Sequence, residues 1–235
     1  MRLLAKGRAA DVYDLGDGTV LRRYRVDLDT AREADLMRRL AAAGVPVPRV
    51  ISSSGCDLVL EKVDGPTMLA DLARRPWCLW AHADLLASLM RRVHTVPAEG
   101  GQILHWDLHP QNVILSRRGP VIIDWTGAHV GPWAEDVAMT WLIVRTSVPD
   151  GGRWQRLLAS ALQAEFARRF LGHFDGAAVR SALPRIAAER LRDRNVTAVE
   201  AASAASFHPL NAHTNAGARR PSGRRSQRSG GMEGR

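Results

Sequence analysis

Apolar and polar residues alternate over much of the first 66 positions, and this alternation predicts β-strands. DVYDLGDGTVLRRYR contains two alternating runs around a Gly-Asp-Gly turn at residues 16–18, and an Asp-Gly pair supplies the positive φ angles of a tight hairpin. PRVIS and DLVLEK predict a second strand pair. Between the pairs, DTAREADLMRRLAAAG has helical spacing, with Thr30 and Glu33 placed as a capping box. A sheet with one helix is therefore expected here.

The spacing of apolar residues becomes helical from about residue 67 onwards. One stripe of apolar positions at helical spacing consists of Leu85, Leu86, Leu89, Met90 and Val93. Two short apolar runs, VIL and VII, joined by SRRGP predict a hairpin. Further helices are expected over residues 134–146, 152–173 and 177–195. The sequence thus predicts an α+β fold in which a small β-rich lobe, residues 1–66, precedes a mainly helical lobe, residues 67–205.

Composition favours a folded protein of the cytoplasm. The chain has 235 residues, of which 46% are hydrophobic, and this content suffices for an apolar core. Its longest apolar run, VAMTWLIV, is too short to cross a bilayer, and the first residues lack a stretch of signal-peptide type. Cys56 and Cys78 are too few for a disulfide framework. We therefore expect a cytoplasmic location and no membrane partner.

The net charge of +9 is concentrated at the end of the chain. The last thirty residues, 206–235, contain six arginines and one glutamate, and without them the net charge is about +4. Gly, Ser, Pro and Arg dominate this segment, so it cannot bury enough apolar surface to offset the loss of chain entropy. It is predicted to be a disordered basic tail. A solvated tail is favoured, and weak contact with nucleic acid or a membrane surface is the alternative.

The segment ILHWDLHPQNVIL, residues 103–115, sets polar residues in an apolar frame. In an extended strand His105, Asp107 and His109 would share one face and could hold the metal ion of a hydrolase. Pro110 favours a loop instead, because its ring fixes φ and its nitrogen cannot donate a hydrogen bond. A loop is the preferred interpretation, and the metal cage is the alternative.

The predicted hairpin would place Asn112, just before its first strand, opposite Asp124, just after its second. Asp107 lies five residues before Asn112 on the same loop and can reach the same place. Amide and carboxylate oxygens suit Mg²⁺. Proteins usually bind this ion with only a few of their own groups, and the phosphates of the substrate supply further ligands. Another carboxylate nearby could accept a proton from an attacking hydroxyl group. This arrangement is that of a kinase active site.

HWDLHPQNVIL followed by VIIDW resembles the catalytic loop and metal-binding segment of the aminoglycoside phosphotransferase and choline kinase family, which is related to the protein kinases. The resemblance covers roughly residues 1–200 and implies a protein-kinase-like fold of two lobes. It also implies that Asp107 is the catalytic base, that Asn112 and Asp124 bind Mg²⁺, and that His105 orders the loop. Trp106 stands where the family usually has a small residue, commonly glycine.

The same resemblance implies roles for residues in the first lobe. Arg22 takes the position of the family's phosphate-binding lysine, on the same strand face as Val20, and Glu33 takes that of its helix glutamate. Arginine keeps the positive charge but is bulkier and planar. Glu33 could instead complete a capping box with Thr30. Asp136 is implied to anchor a helix and a loop.

The segment LEKVDGPTM resembles the connection between the family's lobes. The backbone from Glu61 to Val63 would then meet the purine of ATP, with GTP as the alternative. Residues 140–205 contain ten arginines and six acidic residues. This balance argues against a polycationic aminoglycoside as the acceptor and for a neutral or anionic compound, because buried ammonium groups need acidic partners.

The resulting prediction is a phosphotransferase that moves the nucleotide γ-phosphate to a hydroxyl group of a small metabolite or antibiotic. Its expected partners are the nucleotide, Mg²⁺ and that substrate. The alternatives are a nucleotide-binding pseudokinase, suggested by Arg22 and by the single glycine, Gly7, in KGRAADVY, and a metal-dependent hydrolase.

Overall fold

The structure, a computed structural model, describes residues 1–7, 9–26, 29–147 and 152–192. Its first part is an antiparallel sheet of five strands in the spatial order β1-β2-β3-β5-β4. The strands are β1 Arg2–Lys6, β2 Ala10–Asp14, β3 Thr19–Tyr24, β4 Val50–Ser54 and β5 Asp57–Glu61. Helix α1, Ala31–Ala42, packs against β4 with its buried residues, which include Met37 and Leu40.

The predicted hairpin between β2 and β3 is present, with Asp14 paired to Val20. Gly16 and Gly18 take φ angles of 88° and 82°, which glycine adopts without the steric penalty of a side chain. Strand alternation sets the two faces of β3. Leu21 is buried on one face, whereas Val20 and Arg22 line the cleft described below.

The second part of the chain is mainly helical. Its helices are α2 Met68–Arg74, α3 Leu79–His94, α4 Trp133–Thr146, α5 Arg153–Leu171 and α6 Gly176–Arg192. Its short strands are β6 Pro97–Ala98, β7 Gly101–Leu104, β8 Val113–Ser116, β9 Gly119–Ile122 and β10 His129–Gly131. The predicted stripe on α3 faces the core, where Leu86, Met90 and Val93 are fully buried. A β-rich part followed by a helical part confirms the predicted α+β class.

The predicted capping box at the start of α1 is wrong. The Thr30 hydroxyl is buried and donates instead to the backbone carbonyls of Gly55, at 3.0 Å, and Asp57, at 3.1 Å. Asp29 caps the helix, because its carboxylate accepts a hydrogen bond from the Ala31 amide at 2.9 Å. Because α1 packs against the turn between β4 and β5, the Thr30 hydroxyl bonds to that turn and does not cap the helix.

The predicted hairpin formed by β8 and β9 is present, but its register differs by one residue. Val113 pairs with Ile122, so Asn112 lies opposite Ile123 and not opposite Asp124. The Ile123 amide donates to the Asn112 carbonyl at 3.0 Å, and Asp124 follows with a positive φ of 67°. The turn of the backbone at Asp124 therefore ends the pairing.

The β8 and β9 hairpin is tied to the chain segments that precede it. The Leu115 amide donates to the Pro66 carbonyl and the Ile122 amide to the Pro46 carbonyl, both at 2.8 Å. Gly65, with φ 152°, packs against the carbonyl of Leu115, where any side chain would collide with the backbone. One strand of the hairpin thus contacts the connection between the two parts, and the other contacts the segment before β4.

Some predictions concern residues that the structure does not describe. The end of the helix predicted over residues 177–195 and the tail, residues 206–235, lie outside the described residues. Within the described residues, no helix combines the length and the apolar character needed to span a bilayer. The cytoplasmic location stays a prediction.

Candidate active site

A cleft of about 690 Å³ lies between the five-stranded sheet and the helical part. Strand β3, the connection after β5, and the two loops around the β8 and β9 hairpin supply its polar lining. The predicted site residues that line it are Val20, Arg22, Glu61, Val63, Asp107 and Asp124. Glu33 and Asn112 contact members of this set without lining the cleft themselves.

The loop that carries Asp107 is anchored by one buried carboxylate. Asp136, on α4, accepts hydrogen bonds from the backbone amides of His105 at 3.0 Å and Trp106 at 2.8 Å. Its second contact through Oδ2 is with Nε2 of His94, at 2.9 Å. Asp136 is completely buried, so these partners replace the water that its charge would otherwise need. The backbone just before Asp107 is thereby fixed to α4.

His105 orders the same loop from its inner side. Its ring is fully buried, and Nε2 lies 3.0 Å from the carbonyl oxygen of Ile123. Burial lowers the pKa of His105, which favours the neutral ring. In the neutral form Nε2 donates to Ile123, and Nδ1 accepts from the Asp107 amide at 3.3 Å. His105 therefore links the loop that carries Asp107 to the end of the β8 and β9 hairpin.

Asp107 and Asn112 contact each other at the mouth of this loop. The side-chain nitrogen of Asn112 donates to the Asp107 carbonyl at 2.8 Å and to its carboxylate at 3.1 Å. With the nitrogen used in this way, the Asn112 side-chain oxygen is the atom that could bind a cation. The Asp107 side chain is 44% exposed, so its carboxylate is accessible from the cleft.

Trp106 adopts a backbone conformation that usually favours glycine. Its φ is 70°, in the left-handed region, which is costly for a bulky side chain. The hydrogen bond from its amide to Asp136 and the edge-on contact of its ring with His129, at 4.5 Å between ring centroids, hold this conformation. The positive φ gives a physical reason for a small residue at this position.

Arg22 connects the sheet to the metal-binding loop predicted around Asp124. Its guanidinium donates to Glu33 at 2.9 Å through Nη1 and to Asp124 through Nη2. Burial disfavours the charge on Asp124, but the adjacent Arg22 holds the pKa of Asp124 below its ordinary value. Burial raises the pKa of Glu33 although Arg22 opposes this effect. Glu33 therefore serves as the ion-pair partner of Arg22 and not as part of a helix cap.

Tyr24 and Thr126 complete this cluster, and the sequence analysis missed both. The Tyr24 hydroxyl donates to Glu33 at 2.5 Å and lies 2.8 Å from the Thr126 hydroxyl. Thr126 also accepts from Arg22 at 2.8 Å and donates to Asp124 at 2.9 Å. The available signal is weak: each residue lies two positions after a predicted site residue, Tyr24 after Arg22 on one strand face and Thr126 after Asp124.

The metal cage that an extended HWDLH segment would form is not present. The described residues contain no group of three His, Cys, Asp or Glu side chains able to hold a metal ion. The segment is a loop, and the ring of His105 points to the Ile123 carbonyl inside the protein. Only the arrangement based on Asn112 and Asp124 is therefore compatible with these residues as a metal site.

The connection after β5 reaches the cleft mainly with backbone and apolar groups. The Glu61 carboxylate pairs with Arg118 and accepts from the Arg49 amide at 3.4 Å. Lys62 pairs with Asp14 at 3.1 Å. The charged groups of Glu61 and Lys62 are thus already engaged by other side chains.

The sheet, the helical part and the cleft between them form a two-lobed protein-kinase-like fold, and comparison with solved structures supports this class. The aminoglycoside phosphotransferase APH(2'')-Ib, bound to ADP, superposes with a TM-score of 0.60 at 14% identity and covers 88% of this chain and 90% of its own. A choline/ethanolamine kinase family protein from Mesorhizobium loti gives 0.56 at 16% identity, covering 92% and 88%.

Sequence comparison identifies the family. The profile of the "Phosphotransferase enzyme family" matches residues 1–70 and 58–174. This chain belongs to the phosphotransferase enzyme family, which confirms the resemblance found in the sequence. A curated relative is the EKC/KEOPS complex subunit BUD32 of Encephalitozoon cuniculi (strain GB-M1), 29% identical over 167 residues, or 70% of this chain and 75% of the relative.

Proposed function

We propose that this protein transfers the γ-phosphate of ATP, with Mg²⁺, to a hydroxyl group of a small molecule. The observation that carries the proposal is the geometry around the β8 and β9 hairpin. Asp107 presents an accessible carboxylate, and Asn112 and Asp124 stand together at the open end of the hairpin. A proton acceptor and two oxygen ligands at one cleft are the groups that phosphoryl transfer requires.

The residues present fit Mg²⁺. Asn112 and Asp124 would hold it through an amide and a carboxylate oxygen, and Mg²⁺ commonly combines one or two such ligands with substrate phosphates. When bound, the ion neutralises charge that develops on the phosphate groups. The low pKa of Asp124 keeps its carboxylate ionised at neutral pH, as a metal ligand must be.

The remaining steps belong to side chains of this chain. Asp107 orients the acceptor hydroxyl group and takes its proton, because its carboxylate is open to the cleft. Asp136 and His105 hold the backbone that leads to this reaction position, because they accept hydrogen bonds from the amides of residues 105–107. Arg22, on the sheet side, is placed to bind phosphate oxygens with its planar fork of donors.

The acceptor would lie on the helical side of the cleft, which α6 also lines. Glu189, Arg190 and Arg192 of α6 contribute to this lining. Arg192 lies 3.6 Å from Glu189, so the charges of these two residues balance each other. This lining supports a neutral or anionic acceptor over a polycationic one, because amine groups brought into the cleft would need unpaired carboxylates.

The test uses the full-length protein with ATP and Mg²⁺. We expect the melting temperature to rise when both are present and to rise much less with either alone, since the metal ligands need phosphate oxygens to complete the coordination. A set of hydroxyl-bearing metabolites is then screened for acceptor-dependent consumption of ATP, with Asp107→Asn as the negative control. A protein that is indifferent to ATP with Mg²⁺ would contradict the proposal.

A second candidate is a nucleotide-dependent subunit of a protein assembly. It is motivated by the relative named as an EKC/KEOPS complex subunit and by an apolar surface at the start of α5. Trp154, Leu157 and Leu158 share one side of this helix and are 80%, 64% and 64% exposed. Acceptor-independent ATP consumption that increases when the protein is copurified with a stoichiometric partner would favour this candidate over a free small-molecule substrate.

A further inference from the structure

Arg22 contacts the carboxylate of Asp124, the group that would hold a metal ion in the proposed site. Its side chain is only 12% exposed, and its Nη2 atom contacts both Oδ1 of Asp124 and the Thr126 hydroxyl. Oδ1 of Asp124 also accepts from Thr126, at 2.9 Å. The guanidinium carries a permanent positive charge. Arg22 therefore already supplies the neutralisation that a bound cation would give to Asp124.

Two hydroxyl groups lie around the guanidinium: one contacts it directly, and the other acts through its ion-pair partner Glu33. Thr126 accepts its hydrogen bond at 2.8 Å from the metal-loop side. Tyr24 approaches from β3, where its buried ring lies 5.0 Å from the guanidinium carbon and its hydroxyl donates to Glu33 and lies 2.8 Å from the Thr126 hydroxyl. Four neighbours thus fix Arg22, and two of them, Tyr24 and Thr126, join the sheet to the loop that carries Asp124.

We propose that Tyr24 and Thr126 are positioning residues that keep Arg22 on Asp124, so that Mg²⁺ and Arg22 compete for the Asp124 carboxylate. The proposal rests on the proposed function of the cleft. Binding of nucleotide with Mg²⁺ then requires Arg22 to move from Asp124 towards the phosphate oxygens, which its donors match in pairs. The two hydroxyl groups set how much Mg²⁺ this exchange requires.

The direction of the effect follows from competition between two cations. A positive guanidinium and a divalent ion on one carboxylate repel each other. Mg²⁺ therefore binds the molecules in which Arg22 has left Asp124, and its apparent affinity is the intrinsic affinity multiplied by the fraction of such molecules. Removing a hydroxyl that holds Arg22 raises this fraction. The apparent requirement for Mg²⁺ therefore falls when either hydroxyl is deleted.

The experiment measures the Mg²⁺ concentration that gives half of the ATP-dependent rise in melting temperature. Tyr24→Phe and Thr126→Val each remove one hydroxyl, and we expect each to lower this midpoint by roughly threefold to tenfold, the range for the loss of one hydrogen bond. Thr126→Ser keeps the hydroxyl and should keep the wild-type midpoint. Tyr13→Phe makes the same change in the only other tyrosine of the chain, on β2 and outside the cleft lining, and should change nothing.

The outcomes separate this proposal from the proposed function. If the wild-type protein shows no rise in melting temperature with ATP and Mg²⁺, the proposed function is wrong, and the proposed competition between Arg22 and Mg²⁺ is wrong as well. If the wild type responds but the midpoints of Tyr24→Phe and Thr126→Val equal that of Tyr13→Phe, only the competition is wrong. A higher midpoint in Thr126→Val would show that Thr126 orients Asp124 for the metal and would also overturn the proposal. If Tyr24→Phe does not fold, the pair Thr126→Val and Thr126→Ser decides alone.

Discussion

The two loops that meet in the cleft are held in opposite ways. The loop before Asp107 is fixed through its backbone, because the amides of His105 and Trp106 donate to the buried carboxylate of Asp136. The loop around Asp124 is held through side chains that reach it from the sheet, above all by Arg22. Asp136 is fully buried within the helical lobe, whereas the contact of Arg22 with Asp124 crosses from one lobe to the other.

This difference indicates which of the two loops a bound ligand can rearrange. Contacts between backbone amides and a fully buried carboxylate have no competitor in the cleft, so the position of Asp107 is set by folding. Contacts between Arg22 and Asp124 can be replaced by a metal ion and phosphates, because those groups offer the same charges. In the proposed function, the chemistry therefore belongs to the fixed loop and the response to nucleotide to the exchangeable one.

The largest effect is expected from Asp107→Asn, which separates chemistry from binding. The substitution keeps size and polarity but removes the proton acceptor, so turnover should fall by about 10² to 10⁴, the range for a positioned base. Binding of ATP with Mg²⁺, measured as the rise in melting temperature, should stay at the wild-type level. An Asp107→Asn protein with full activity in an established assay would disprove the proposed mechanism.

The matched variant is Asp124→Asn, on the exchangeable loop. It removes the negative metal ligand, so the requirement for Mg²⁺ should increase together with the loss of turnover, and excess Mg²⁺ should restore part of the rate. A magnesium titration of both variants distinguishes the two carboxylates. Identical titrations would show that the two loops do not differ in the way described.

The next effect concerns stability of the fixed loop. Asp136→Asn replaces an acceptor of three hydrogen bonds with a group that places a nitrogen against donors, and the free energy of unfolding should fall by about 3 kcal/mol. Asp84→Asn is the control, because Asp84 pairs with Arg169 and His173 at the surface. Its loss should lower the free energy of unfolding far less in urea unfolding, because exposed ion pairs contribute little to stability. If both substitutions lower the free energy of unfolding equally, Asp136 does not anchor the loop more strongly than a surface ion pair would.

A smaller effect is expected at Arg22. Arg22→Lys keeps the charge and should preserve or raise turnover, whereas Arg22→Ala should weaken binding of the phosphate groups of ATP by about tenfold, the order for one charge-assisted interaction. Arg23→Ala is the control, since Arg23 lies on the other face of β3 and pairs with Asp57 at 2.6 Å. If Arg22→Ala and Arg23→Ala bind ATP alike, Arg22 has no role in phosphate binding.

The smallest effect is a pH dependence that originates from His105. Its folded-state pKa is lowered by burial below the ordinary value of about 6.5, so the unfolded chain binds more protons. The stability contribution is thus complete above about pH 6.5 and decreases as the pH falls towards the folded pKa, by up to about 1.4 kcal/mol per pH unit. Urea unfolding between pH 7.5 and 5.5 measures it.

The control for this pH dependence is a pair of substitutions. His105→Gln should flatten the dependence in this range, whereas His129→Gln, at an exposed histidine, should keep it. If the wild type and His105→Gln lose stability in parallel on acidification, the neutral state assigned to His105 is incorrect.

The sequence predicted those features that depend on neighbouring residues. Strand alternation is enough to place Val20 and Arg22 on one face, and the hairpin is enough to bring Asn112 near Asp124. The register was wrong by one residue, because the hairpin closes with a two-residue turn between Ser116 and Gly119, and this turn places Asn112 opposite Ile123. The roles of these residues in binding and catalysis stay predictions.

What the sequence could not provide are contacts between distant segments. Glu33 had two candidate partners in the sequence, and the packing of α1 against the sheet selects Arg22 over a helix cap. Tyr24 and Thr126 are 102 positions apart, and their hydrogen bond depends on how the two lobes pack together. Local patterns carry no information about such a contact.

The ties of the β8 and β9 hairpin have a mechanical consequence. The hairpin bonds to Pro46 and Pro66, so it is tied to the segment before β4 and to the connection between the lobes. Asp124 follows the hairpin along the chain, whereas the backbone just before Asp107 is tied to α4 through Asp136. Asp107 and Asp124, the proposed proton acceptor and metal ligand, are therefore attached to different parts of the molecule, and two contacts join their loops: the Asn112 side chain bonded to Asp107, and the His105 ring bonded to the Ile123 carbonyl. A displacement of either loop would be passed to the other through these two contacts.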